Sequence, residues 1–217
     1  MGIGSKFKLF WTAGRGVTKG LTELSDTANP FTLFDAWFHD ASESGILLPE
    51  AMTLATASLA GKPSSRMVLL KGHGPSGFVF YTNYGSRKAS ELDANPQTAL
   101  QFHWAVLQRQ VRIEGTVRRA DRATSEAYFM TRHRESQLGA WASKQSKELD
   151  NRRQLESRFS RIKEKYEGQE IPLPEFWGGY IVIPESIEFW QGRANRLHDR
   201  LLFIRNGESW NSTRLFP

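Results

Sequence analysis

The sequence predicts a mainly β fold with helices (α+β): an antiparallel barrel, closed or partly closed, with helices packed around it. Three observations carry this expectation. Short runs rich in β-branched and aromatic residues, "MTLATAS", "SSRMVLLKGH" and "FVFYTNY", are separated by the turn segments "LAGKP" and "GPSG". Val111, Ile113, Gly115 and Val117 alternate with Gln110, Arg112, Glu114, Thr116 and Arg118, the period-two pattern of a strand with one buried face. Near the end, Asn206-Gly207 between "RLLFIR" and "SWNSTRL" is a hairpin signal. Strands that follow one another in hairpins, without a helix between each pair, disfavour a doubly wound parallel sheet.

The elements follow in order. Asn29 can cap a helix whose first position is Pro30, whose apolar face is Phe31, Phe34, Phe38 and Ala41, and whose stop is Gly45. The three runs above then read as a β-meander. "GSRKASELDANP" reads as a short helix capped by Ser86 and closed before Pro96, and "TALQFHWAVL" and "RQVRIEGTVRRA" as two further strands. Helices are expected around residues 121–138 and 147–167, the second with Leu155, Phe159, Ile162 and Tyr166 at helical spacing and an end at Gly168. Four closing strands are expected at "YIVIP", "SIEFWQG", "RLLFIR" and "SWNSTRL". Residues 1–28 read as a mobile arm and residues 29–217 as a single domain without internal repeats.

Composition narrows the function. The 217 residues include no cysteine, which rules out thiol nucleophiles and thiolate metal sites and fits a reducing compartment. No apolar run approaches the ~18 residues of a membrane span and no secretory signal is evident, so a soluble cytoplasmic protein is expected. The net charge of +6 points to acidic partners: nucleic acid, anionic membrane or small phosphorylated molecules. Between Glu50 and Glu91 there is no acid, whereas Lys62, Arg66, Lys71, Arg87 and Lys88 all fall there, so the excess is local.

"GHGPSG", Gly72 to Gly77, matches G-x-G-x-x-G literally, but the dinucleotide fingerprint requires a helix after it, and the strand-like "FVFYTN" follows instead. A hairpin turn accounts for it. The five histidines are dispersed, so no metal is expected, and no G-x-S-x-G elbow is present.

Three constellations remain. Arg66 and Lys71 bracket a strand while Ser86, Arg87 and Lys88 begin a helix, where free amides and adjacent cations can seat a phosphate; a solvated basic turn is the alternative. Tyr128, Arg132 and Ser136, spaced i, i+4 and i+8, would share one face of the helix expected over 121–138 as three phosphate donors, or form a polar solvent stripe. In "FWQGRANRLHDR", Trp190 ends a strand and Arg196 and His198 would lie on one side of an extended segment, or decorate a charged turn in which Arg193 is merely solvated. Three compact anion-ready places point to two phosphorylated ligands and away from the continuous basic, aromatic-studded groove of a nucleic-acid-binding barrel.

"RMVLLK", "VFYTN" with "GSRK", "RQVRIEG", "SQLGAWASKQS", "PLPEFWGGY", "FWQG" with "RLHDR" and the terminal "RLFP" together resemble the pyridoxine (pyridoxamine) 5'-phosphate oxidase family, from about Phe31 to Pro217. The resemblance implies a homodimeric FMN-binding split β-barrel. It implies that Arg66, Met67, Val68, Leu69, Leu70, Lys71, Tyr81, Thr82, Arg87 and Lys88 line FMN, with Arg66 and Lys88 at its phosphate. Gln110, Gln145, Ser146, Trp190 and Arg200 would complete the flavin site, partly from the second subunit. Lys71, Tyr128, Arg132 and Ser136 would hold the substrate phosphate. Arg196 and His198, the expected catalytic pair, would frame the pyridine ring with Leu197 between them.

The implied reaction oxidises pyridoxine or pyridoxamine 5'-phosphate to pyridoxal 5'-phosphate, a hydride passing from C4' to flavin N5 and O2 taking the electrons to give H2O2. Neither a membrane nor a nucleic acid is implied as partner. The chain departs from the family pattern at Gly14 and Val17, where Arg and Tyr often cover the substrate, and at Leu48, where an acid is common. The alternative within flavoproteins is another FMN split-barrel oxidoreductase.

Overall fold

The computed structural model describes Leu21 and residues 29–217; the rest of the expected arm, with Gly14 and Val17, lies outside the described residues. The first helix, α1 (Pro30–Glu43), begins as its sequence requires: the Asn29 side chain accepts from the Phe31 amide at 2.9 Å, and Pro30 takes the first turn. Its apolar face drives Phe31, Phe34, Trp37 and Ala41 into the core. There Phe34 meets Phe78 and Phe102 edge to face at 5.0 and 5.2 Å.

Among the described residues nine strands form one antiparallel sheet: β1 (Ala51–Ala57), β2 (Pro63–Leu69), β3 (Gly72–Gly74), β4 (Gly77–Asn83), β5 (Gln97–Trp104), β6 (Arg109–Arg119), β7 (Trp177–Gln191), β8 (Asp199–Asn206) and β9 (Ser209–Leu215). The order is β2-β1-β5-β6-β7-β4-β3, with β8 on β7 and β9 on β8. The end strands β2 and β3 are joined only by Leu70 and Lys71, whose amides donate to Glu50 O at 2.9 Å and Val79 O at 2.8 Å. A sheet whose two ends are consecutive in the chain must curl on itself, which is the expected partly closed barrel. "GHGPSG" is the β3–β4 hairpin, and Asn206 pairs with Ser209 across the β8–β9 turn.

β7 is the hub. β6 runs along it, β4 pairs with its first half and β8 with its second. Two strands were expected here, because proline inside a run argues against a continuous strand. Pro184 is accommodated because it falls opposite Gly115 at a register shift in the β6–β7 ladder, where its missing N–H leaves no regular pairing unmade. A Cβ on Gly115 would lie 2.1 Å from Ile183 O, so the strands approach this closely only with glycine there.

The remaining helices are α2 (Arg87–Ala94), α3 (Arg122–Met130), α4 (Arg134–Ala142) and α5 (Arg152–Lys165). Around the last three, Phe129, Leu138, Tyr166, Ile171, Leu173 and Trp177 make a second apolar cluster. The single helix expected over 121–138 is in fact two, broken at Thr131–His133. The Thr131 hydroxyl donates to Tyr128 O at 2.7 Å and Gln137 Nε2 to Phe129 O at 2.9 Å, so side chains satisfy carbonyls that a continuing helix would have used. The helix expected from 147 starts at Arg152, capped by Asn151. Residues 194–196 form a 3-10 turn in which Asn195 and Arg196 have φ of 59° and 60°, so the extended segment expected to align Arg196 with His198 is not found. Among the described residues no helix is long and apolar enough to cross a membrane.

Candidate functional site

Ser86 caps α2 by accepting from the Ala89 amide, and the helix start carries Arg87 and Lys88. The Lys88 ammonium is buried and donates to Gln145 Oε1 at 2.7 Å, Thr82 Oγ1 at 3.2 Å and Ser86 Oγ at 3.3 Å, all neutral acceptors. Burial, and after it the Arg66 guanidinium, lower its pKa to about 8. A buried cation served by neutral groups, at a helix start, can seat an anion.

Arg66 reaches this seat from β2. Its Nη1 donates to Thr56 Oγ1 at 2.6 Å and Leu54 O at 3.2 Å, and its Nη2 to Ser64 Oγ at 2.5 Å and Glu91 Oε2 at 3.2 Å. Arg87 Nε binds the other oxygen of Glu91 at 2.8 Å. Burial pushes the Glu91 carboxyl up, but the hydrogen bonds from Ser64, Thr56, Arg87 and Arg66 outweigh it and bring it down to about 2.

Next to the seat, Tyr81 stacks on Tyr128 at 4.0 Å and on Trp177 at 5.4 Å. Burial raises both tyrosine hydroxyls, so they act as neutral donors. Gly179 permits the stack, since a Cβ there would sit 2.9 Å from the Tyr81 ring. Arg132 lies over Trp177 at 4.8 Å, with Nη1 buried and without a hydrogen-bond partner. It lines a cavity of about 290 Å³ together with Ser136, Asn83, Gln145 and Trp177. The break between α3 and α4 is what turns Arg132 and Ser136 into one cavity; they do not form a stripe on a single helix.

A second set stands elsewhere. Gln110, Trp190 and Arg200 are register partners across β6, β7 and β8. They alternate with buried Val111, Phe189 and Leu201 and therefore occupy the outer face of the sheet. Arg66, by contrast, belongs to the row Arg66–Leu54–Leu100–Ile113–Ile187–Phe203, whose other members are buried in the core. Arg200 Nε binds buried Glu188 at 2.8 Å, which raises its pKa. His198 packs on the Trp190 ring at 4.6 Å and accepts from the Arg193 amide at 3.1 Å. Arg193, to which the sequence assigned nothing but solvation, pairs with Asp199 at 3.2 Å. Arg196 and Leu197 are exposed.

The expected residues therefore fall into two groups. Arg66, Thr82, Arg87, Lys88 and Gln145 are brought together, with Tyr81, Tyr128, Arg132 and Ser136 beside them; Gln110, Trp190, Arg200 and His198 form the other group. Along "RMVLLK", Met67 and Leu69 are exposed on the side away from Arg66, Val68 packs inward and Leu70 is buried. Lys71 is exposed and Ser146, with φ of 69°, sits beside Gln145 in the loop after α4. Sequence reasoning missed Glu91, Thr56, Ser64 and Trp177. The i, i+4 spacing of Arg87 and Glu91 was the one available signal. Among the described residues no group of His, Asp or Glu could hold a metal ion.

Comparison with known proteins bears on both groups. Residues 38–166 match the family described as pyridoxamine 5'-phosphate oxidase, and residues 177–217 match the pyridoxine 5'-phosphate oxidase C-terminal dimerisation region. A protein of Psychromonas ingrahamii named pyridoxine/pyridoxamine 5'-phosphate oxidase is 54% identical over 213 residues, 98% of each chain. One of the same name from Colwellia psychrerythraea is 53% identical over 217 residues, 100% of each. Among solved structures, PhzG of Burkholderia lata, in complex with tetrahydrophenazine-1-carboxylic acid, superposes with a TM-score of 0.87 at 29% identity, over 93% of this chain and 100% of that one. An FMN-binding protein of Nostoc punctiforme, related to pyridoxamine 5'-phosphate oxidase, gives a TM-score of 0.70 at 16% identity over 89% and 100%, a likeness that bears on the fold alone.

Proposed function

The chain belongs to the pyridoxine/pyridoxamine 5'-phosphate oxidase family, and on that premise we propose that it oxidises pyridoxine 5'-phosphate or pyridoxamine 5'-phosphate to pyridoxal 5'-phosphate, with FMN as cofactor, O2 as acceptor and H2O2 as product. The observation that carries the reading is a pair of anion seats side by side: buried Lys88 with its neutral acceptors, and Arg132 with an orphaned buried Nη1 in the adjoining cavity. Two phosphorylated molecules that meet are what this reaction requires.

The donor set fits FMN. Arg66, Arg87, Lys88 and the start of α2 would hold its phosphate, with Thr82, Gln145 and Ser146 near and the backbone of residues 66–71 alongside. FMN, when bound, supplies the redox chemistry by accepting a hydride, so the side chains need only bind, orient and exclude water. Arg132, Ser136 and Tyr128, with Lys71, would hold the substrate phosphate.

Trp190, Gln110 and Arg200 would complete the flavin site, while Arg196 and His198 frame the substrate ring. Gln110, Trp190 and Arg200 stand on the other face of the sheet from Arg66, His198 packs on Trp190, and four of the five lie in the segment that matches the dimerisation region. The reading is therefore of a homodimer in which each site takes one group from each subunit, with residues 29–217 as the single folded domain of each. Cytoplasmic residence fits a chain with no cysteine.

Anaerobic addition of either vitamer phosphate to the FMN-loaded protein tests the proposal. Loss of the visible flavin absorbance with at least one of them is expected; persistent yellow colour with both would reassign the protein to another FMN split-barrel oxidoreductase.

A further inference from the structure

The acid-free stretch from Glu50 ends at Glu91, and that residue folds back onto the cations it follows. Its Oε2 accepts from Thr56 at 2.5 Å, Ser64 at 2.6 Å and Arg66 at 3.2 Å, and its Oε1 from Arg87 at 2.8 Å. The carboxylate is buried, whereas the Arg66 and Arg87 side chains keep 21% and 57% of their surface exposed. One anion thus holds two guanidinium groups: Arg87 keeps both Nη groups outside these hydrogen bonds, whereas Arg66 spends its Nη donors on Leu54 O, Thr56, Ser64 and Glu91 and keeps its Nε. Arg66, Arg87 and Lys88 less Glu91 leave a net charge of +2, opposite to the −1.5 to −2 or so of a phosphate monoester near neutral pH.

We propose that Glu91 is the positioning residue of this seat: it fixes Arg66 and Arg87 and matches the charge of the seat to a phosphate monoester, so that the flavin is selected through its phosphate. The proposal rests on the reading of the seat as the FMN site. Four donors converge on two carboxylate oxygens, and an amide cannot replace them. Glutamine offers one oxygen and turns an N–H2 group toward donors, so either Arg87 or the group of Thr56, Ser64 and Arg66 loses its acceptor. Arg66 also stands among the causes that lower the Lys88 pKa, so a carboxylate on Arg66 tempers the crowding of three cations.

Titration of flavin fluorescence with FMN and with riboflavin, which lacks the phosphate, tests this on the apoprotein. The wild type is measured first, and failure to bind FMN there would sink the flavin reading and this assignment together. With FMN bound by the wild type, Glu91→Gln is expected to weaken FMN by about ten- to a hundredfold and leave riboflavin unchanged. Glu91→Asp, which keeps the charge, is expected to bind FMN more tightly than Glu91→Gln. Unchanged or tighter FMN binding by Glu91→Gln, equal loss of both ligands, or the reverse order of the two variants would each overturn the role of Glu91 and leave the flavin reading standing.

Discussion

Lys88 is a cation held ready by neutral partners, and its pKa makes the consequences measurable. In the proposed FMN site the phosphate would be met by the protonated amine, whose pKa burial and then Arg66 lower to about 8. The FMN dissociation constant is expected to stay level below that pH and to rise above it, by up to about tenfold per unit; a flat profile from pH 7 to 10 would remove Lys88 from the seat. The same group shapes stability. In the unfolded chain it keeps its proton up to about 10.5, so between about 8 and that value the unfolded state binds more protons, and the apoprotein gains stability from this residue as pH rises.

Arg132 makes the complementary case. A buried guanidinium nitrogen with no partner costs folding energy. Arg132→Met keeps an unbranched chain against Trp177, and is expected to leave thermal stability equal or higher while the KM for the phosphorylated substrate rises about 30-fold or more. A stability loss with KM unchanged would show that Arg132 braces the fold. At this scale the cations were legible in the sequence because a helix start beside an acid-free stretch is a local pattern. Glu91 was not, because three of its four donors come from β1 and β2, and only folding brings those strands to α2.

At the scale of elements, two interruptions do the placing. The break between α3 and α4 opens the cavity behind Arg132, and the irregularity at Gly115 lets β7 carry Pro184 without ending. Gly115→Ala places a Cβ against the Ile183 carbonyl and is expected to cost about 1–3 kcal/mol in urea unfolding, reading out as a lower midpoint with little change in slope. Periodicity located both regions and mistook both continuities. It ran one helix through 121–138 because Thr131 and Gln137 act through side-chain hydrogen bonds that leave no trace in an apolar pattern. It cut β7 in two because proline normally ends a strand, and the glycine that relieves it lies on β6, 69 positions earlier. The turn at 194–196 escaped for a related reason: positive φ at Asn195 and Arg196 has no glycine to announce it.

At the scale of the whole molecule, the meander order, the hairpins at Gly72–Gly77 and Asn206–Gly207 and the curl of the sheet follow from local signals. The division of the site does not, because which face a strand residue takes relative to a distant strand depends on the register of every ladder between them. Lys88→Ala and Arg200→Ala, each expected to bind FMN poorly and turn over slowly, should complement one another. When the two are unfolded together, refolded and loaded with FMN, a mixed dimer carries both lesions at one site and none at the other. Activity is expected to return to about a quarter of wild type for random pairing. No recovery would mean that each subunit builds its own site.

β7 also acts as a ruler. Trp177 at one end belongs to the anion cavity and Trp190 near the other to the outer-face group, on the order of 40 Å of strand apart. Even with the irregularity opposite Gly115, that length of strand exceeds what a single small molecule spans. If each site takes one group from each subunit, as proposed, a monomer would be complete as a fold and half-made as a catalyst, and turnover per chain is expected to depend on concentration. Dilution alone would silence the protein with every residue intact, and concentrating it again would restore the activity.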